Sequence, residues 1–177
     1  MRSLSWFLLL PLVLALEGCP KSPSSSNGPT GLIVNTFNGS SLMDEPATGG
    51  YGFYIQPYPG TSLSSVILWI TGSSASITLA ATDITNNGSN SIGSVGPVNF
   101  PGGGSFSPVT FIFNSNPGVA KGDKVCFSIS ASTSGGTDNF CLQSSATANV
   151  NFYITSGSNC SSVIASTWPA IALFGND

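Results

Sequence analysis

The chain has 177 residues, a net charge of −3, no histidine, and only 6% charged residues. Soluble domains average about 25% charged residues, so this surface must be made polar by Ser, Thr, Asn and Gly. The lack of histidine removes every Ser-His and Cys-His nucleophile pair. The acidic balance, with Lys121 and Lys124 the only basic residues after Lys21, excludes a nucleic-acid partner, which needs a basic face to displace counterions.

The first segment reads as an export signal. Met1 and Arg2 precede the apolar run Trp6-Phe7-Leu8-Leu9-Leu10-Pro11-Leu12-Val13-Leu14-Ala15-Leu16, the charged and apolar regions of a secretory signal. A spanning helix needs about 20 apolar residues, and this run ends sooner, at Glu17, with a proline inside it. The alternative is an uncleaved N-terminal anchor helix. Pro20-Lys21-Ser22-Pro23-Ser24-Ser25-Ser26-Asn27-Gly28-Pro29 follows. It has almost nothing to bury, so a disordered tether is expected over 19–30.

Leu16-Glu17-Gly18-Cys19 resembles the lipobox of bacterial lipoproteins. Glu17 stands where that family has a small, uncharged residue. The resemblance implies cleavage after a signal of residues 1–18, acylation of Cys19 and a membrane partner held through the acyl chains. Several chains hold a domain on a bilayer, since each buried CH₂ adds about 0.8 kcal/mol. It also implies export, with the protein at the bacterial cell envelope, periplasmic or surface-exposed. Ordinary secretion, with Cys19 a plain cysteine, is the other reading.

Beyond the tether, residues 31–177 read as one all-β domain with about nine short strands. Apolar runs mark Gly31–Phe37, Tyr51–Pro57, Leu63–Thr71, Ser76–Asp83, Pro108–Asn114, Lys124–Ser132, Asn139–Ser145, Val150–Ser156 and Pro169–Phe174. Turn chemistry separates them at Asn86-Asn87-Gly88, Pro101-Gly102-Gly103-Gly104, Asn116-Pro117-Gly118 and Ser134-Gly135-Gly136. Val125, Phe127 and Ile129 alternate with Cys126, Ser128 and Ser130, the pattern of a half-buried strand. Val66-Ile67-Leu68-Trp69-Ile70 is apolar on both faces, so a central, covered strand is expected there. The stretch 93–108 reads as surface loop. The architecture expected is an antiparallel β-sandwich.

The order Leu63-Ser64-Ser65-Val66-Ile67-Leu68, Ile77-Thr78-Leu79, Val109-Thr110-Phe111-Ile112-Phe113 and Lys121-Gly122-Asp123-Lys124-Val125-Cys126-Phe127 carries a second resemblance. It closes on Trp168-Pro169-Ala170-Ile171-Ala172-Leu173-Phe174-Gly175. This order is similar to the jelly-roll modules of bacterial surface proteins, including choice-of-anchor domains, and to carbohydrate-binding-module sandwiches. It implies a jelly-roll-like fold over about residues 50–175 and names no ligand.

Setting Cys19 aside leaves Cys126, Cys141 and Cys160. A hairpin with Cys126 opposite Cys141 puts Val125 opposite Leu142 and Phe127 opposite Phe140, with both cysteines on the other face and the turn at Thr133-Ser134-Gly135-Gly136. A Cys126–Cys141 disulfide is therefore expected in the oxidising compartment that export implies. Cys160 is then unpaired, unless it bonds Cys141, Cys126 or another chain.

Candidates for chemistry are few. Asp44-Glu45 could form half of a glycosidase acid/base set, but its Gly-rich surroundings read as a solvated turn. No cofactor is expected. A structural Ca²⁺ held by Asp83 or Asp138 with loop carbonyls is a possibility that the acid count does not support. Tyr54, Tyr58 and Trp168 are the candidate sugar-stacking aromatics. The function expected is a non-enzymatic cell-envelope lipoprotein used for binding or adhesion, with a glycan or protein surface as ligand. The rivals are a self-associating structural subunit of a coat or filament and a cryptic glycan-active enzyme.

Overall fold

The structure, a computed structural model, describes residues 31–36, 42–46, 51–133, 138–143, 151–156, 160, 163–165 and 168–177. The signal, the tether and Cys19 lie outside these residues, as does the turn expected at 134–136. Among the described residues no helix is long and apolar enough to cross a membrane.

The strands in chain order are β1 (Leu32–Asn35), β2 (Leu42–Pro46), β3 (Tyr51–Gln56), β4 (Ser65–Gly72), β5 (Ala75–Asp83), β6 (Asn90–Phe100) and β7 (Gly103–Ile112). They continue with β8 (Val125–Thr133), β9 (Asp138–Gln143), β10 (Asn151–Ser156), β11 (Val163–Ala165), β12 (Trp168–Pro169) and β13 (Ile171–Phe174). They form two antiparallel sheets. One follows β1-β13-β4-β9-β12, with β7 against β4 and β2 against β9; the other follows β11-β10-β3-β8-β5-β6. The expectation of an all-β sandwich holds.

The pairing is nested. β1 lies against β13, β3 against β8, β4 against β7 and β5 against β6. Those eight strands split into facing rows β1-β13-β4-β7 and β3-β8-β5-β6. β2 and β9 to β12 are additions at the flanks of this frame.

Alternation explains which side chains meet between the sheets. β5 buries Ile77, Leu79 and Ala81 and turns Ser76, Thr78, Ala80 and Thr82 outward. β8 buries Val125, Phe127 and Ile129, as its sequence pattern predicts. Phe53 and Phe127, cross-strand partners in β3 and β8, stack with ring centroids 5.1 Å apart. Fully burying each such aromatic contributes roughly 1.5–3 kcal/mol. β4 is covered on both faces, as expected. Val66, Leu68 and Ile70 join the central core, and Trp69 joins Ala170, Ala172 and Phe174 in a second apolar cluster on the outer face.

Thr36 closes a gap in this second sheet face. Its amide donates to the Ile171 carbonyl at 3.0 Å, and its hydroxyl donates to the Pro169 carbonyl at 2.6 Å. The same hydroxyl accepts from the Ile171 amide at 3.0 Å. The fully buried side chain thereby satisfies the backbone where the ladder breaks at Ala170.

Several expectations are corrected. Residues 93–108 are not loop: apart from Pro101-Gly102 they belong to β6 and β7, each laddered along one edge, to β5 and to β4. An edge strand needs few apolar residues, which hid them behind Gly, Ser and Pro. Asp44 and Glu45 are not in a turn but in β2, opposite Cys141 and Phe140 of β9. The hairpin expected between Cys126 and Cys141 does not form. At Cys126 both edges of β8 are occupied, by Tyr54 of β3 and Thr82 of β5, while β9 belongs to the other sheet.

Candidate functional site

The most distinctive surface is the outer face of the row β3-β8-β5-β6. Its cross-strand rows read Asn99–Ser76–Ser132, then Thr78–Ser130, then Ser94–Ala80–Ser128–Gly52, then Ser91–Thr82–Cys126–Tyr54. Rows repeat about every 6.6 Å along the strands, with neighbours about 4.8 Å apart across them. The outward side chains of β5, β6 and β8 are small and uncharged; the last row closes on the buried Cys126 and Tyr54, beyond which stand Lys124 and, in the inward register opposite Val125, Asp83. The outward alternation of Ser and Thr in β5 and β8 is visible in sequence; the joining of both strands with β6 into one face is not.

The charged end is held by short-range hydrogen bonds. The Asp83 carboxylate accepts the Thr85 amide at 2.8 Å, and the Thr85 hydroxyl accepts the Lys124 amide at 2.9 Å. Hydrogen bonds from the Thr85 side chain and then its backbone hold the Asp83 carboxyl below the usual carboxylate range, with a smaller contribution from Asn90. A carboxylate so held stays ionised at neutral pH and is a poor general acid. The Lys124 ammonium stands 4.0 Å from the centre of the Tyr54 ring.

The aromatic candidates are placed differently from expectation. Tyr58 is fully buried, and its hydroxyl donates to the Ser62 carbonyl at 2.8 Å. Burial pushes its phenol well above the ordinary value. Tyr54 is 8% exposed and packs with Cys126, Cys160 and Ile84. Neither offers a ring face that a sugar can stack on, which corrects both as ligand platforms. Trp168 begins β12, opposite Gln143, and its side chain lies outside the described residues.

The disulfide joins Cys126 to Cys160, with Cα atoms 5.9 Å apart, correcting the expected Cys126–Cys141 pairing. Cys160 precedes β11, and its sulfur lies 3.3 Å from the carbonyl oxygen of Phe53 in β3. Cys141 sits in β9 opposite Asp44. Spacing in sequence favoured the nearer cysteine; the fold brings the farther one across β3.

The acids do not converge. Asp138 is opposite Gly72, beside the start of β5, whereas Asp83 ends β5. A strand of that length separates them by roughly 27 Å at about 3.3 Å per residue. Among the described residues no group of His, Cys, Asp or Glu is arranged to hold a metal ion. Asp44 and Glu45 are consecutive positions of β2, and their side chains lie outside the described residues. Comparison with protein-family models, with curated proteins and with solved structures finds no match.

Proposed function

We propose that this chain is a non-enzymatic cell-envelope lipoprotein, anchored through Cys19, whose jelly-roll sandwich is a binding or adhesion module for neutral, polyhydroxylated surfaces such as glycans. The observation that carries this reading is the uncharged outer face of β3-β8-β5-β6, with Ser76, Thr78, Thr82, Ser128 and Ser130 set in rows. Hydroxyls both donate and accept, matching the hydrogen-bonding needs of sugar hydroxyls, and a neutral face avoids the cost of desolvating a charge. Glycan recognition on this face rests on hydroxyl and amide groups, with Tyr54 and Tyr58 buried beneath it or within the core.

The jelly-roll reading draws on the nested pairing β1:β13, β3:β8, β4:β7 and β5:β6, the scheme of two Greek keys wound into two sheets. The lipobox-like Leu16-Glu17-Gly18-Cys19 supports the anchor. The tether would enter the sandwich at Gly31, whose carbonyl accepts the Gly175 amide. The strands of the polar face then run away from the membrane, toward the turns at Gly72–Ala75 and Phe100–Gly103.

The test is a glycan-array screen of the mature, full-length protein. Binding to neutral glycans is expected; no binding to any glycan at high protein density contradicts the glycan reading. A second reading, a structural subunit of a coat or filament, draws on the absence of charge along the edge strands β6 and β7. Polymers forming from pure protein under oxidising conditions favour that reading instead.

A further inference from the structure

The strand edges of this sandwich are guarded in different ways. β6 and β7, both at sheet edges, each carry a proline, Pro97 and Pro108, and β2 carries Pro46. A proline cannot donate to an added strand, so these edges resist pairing. β1 and β11 are short, which also limits edge pairing. β3 differs: Tyr51-Gly52-Phe53-Tyr54-Ile55-Gln56 has neither proline nor charge. Within the nested frame β3 is terminal, and its outer edge is covered by β10 along its whole length, from Tyr51 opposite Ser156 to Gln56 opposite Asn151.

That cover is fastened covalently. Cys160 lies between β10 and β11, yet it bonds Cys126 of β8, the strand on the far side of β3. Cys160 itself therefore lies over β3, its sulfur 3.3 Å from the Phe53 carbonyl oxygen. Both cysteines are buried against Tyr54.

We propose that the Cys126–Cys160 disulfide is a redox latch that keeps β10 and β11 on the β3 edge, and that its reduction frees this edge to pair with β3 of a second copy of the chain. The reductant is a dithiol. One of its thiolates attacks a sulfur of the Cys126–Cys160 bond and forms a mixed disulfide; its second thiol then displaces the protein sulfur. Two electrons and two protons reach the cysteines, and the reagent leaves as its own cyclic disulfide. Because both sulfurs are buried, attack waits on local opening and is slow. The freed strand suits an isologous, antiparallel pairing, since an uncharged strand meets no like-charge repulsion from its copy. This inference is independent of the ligand and of the anchor.

The experiment uses the full chain carrying Cys141→Ser, oxidised or treated with dithiothreitol and alkylated to fix the freed thiols. Hydrogen exchange and sedimentation are then compared. Amides of 51–56 and 151–156 are expected to exchange at least tenfold faster in reduced monomer at low concentration, while those of β5 keep their protection. Dimers are expected as concentration rises. Unchanged exchange and sedimentation after proven reduction overturn the proposal. So does a loss of protection that includes β5, which is general unfolding. Cys160→Ser repeats the test without reductant, and reduction of the folded protein stands if that variant fails to fold.

Discussion

The Lys124 ammonium stands over the Tyr54 ring, 4.0 Å from its centroid, so the aromatic face that would serve a sugar is already covered by a cation. Beneath the ring lie Cys126 and Cys160. The tyrosine thus joins the charged end of the polar face to the disulfide. Replacing Lys124 by Met, which keeps much of the chain's apolar reach, is expected to cost about 0.5–1 kcal/mol of unfolding free energy. Urea titration measures it; a gain in stability contradicts the pairing.

Tyr58→Phe removes the bond to the Ser62 carbonyl and leaves that carbonyl short of a partner inside the core. A loss of about 1–3 kcal/mol is expected. The shift of the urea midpoint at constant slope reads it, and an unchanged midpoint contradicts the buried hydrogen bond.

Cys126→Ser and Cys160→Ser are each expected to lower stability by up to roughly 4 kcal/mol, from the loop-closure entropy of a cross-link with a sequence separation of 34. Cys141→Ser leaves the Cys126–Cys160 bond intact. Peptide mapping without reductant distinguishes this from the pairing that sequence spacing favours, because a peptide joining Cys126 to Cys141 would contradict the fold.

Asp83 makes the stability depend on acid. The hydrogen bonds from Thr85 depress its folded pKa below the ordinary carboxylate range. The stabilisation is therefore present above the unfolded pKa and disappears as pH falls through the lower folded one. Because the residue is only half-buried, solvent screens the carboxylate and the effect is small. Wild type is expected to melt above Asp83→Asn at pH 6, with the gap closing at the most acidic pH at which both fold. A gap that widens on acidification contradicts the sign.

The anchor is tested by mass spectrometry of the protein extracted from envelopes. The mature N-terminal peptide is expected to begin at Cys19 and carry acyl mass, and Cys19→Ser should release the protein into the soluble fraction. A Cys19→Ser protein that stays in the membrane contradicts the anchor.

Much of the fold was legible because apolar alternation reports strands buried on one face. β3, β4, β5, β8 and β10 fall within a residue or two of the runs that mark them. β6, β2 and the first half of β7 were hidden because their apolar load is small and their Gly, Pro and acidic residues read as turn signals. The pairing of strands was less legible. Two cysteines in consecutive strands suggest a hairpin, but β8 already has neighbours on both sides at Cys126. The polar face was half legible, since the outward Ser and Thr of β5 and β8 alternate plainly, while their union with β6 depends on tertiary order. Tyr54 is buried against Cys160, a partner far away in sequence, whereas the Tyr58 bond to the Ser62 carbonyl spans only four residues and leaves no mark in the apolar pattern.

The most direct measurement is the affinity of the mature protein for its best array glycan, compared with Thr78→Glu/Ser130→Lys. These residues are cross-strand partners, so the introduced charges face each other and leave the fold close to its original stability. The account predicts at least a tenfold weaker affinity with an unchanged melting temperature. An unchanged affinity would show that the glycan is held elsewhere and contradict the assignment of this face.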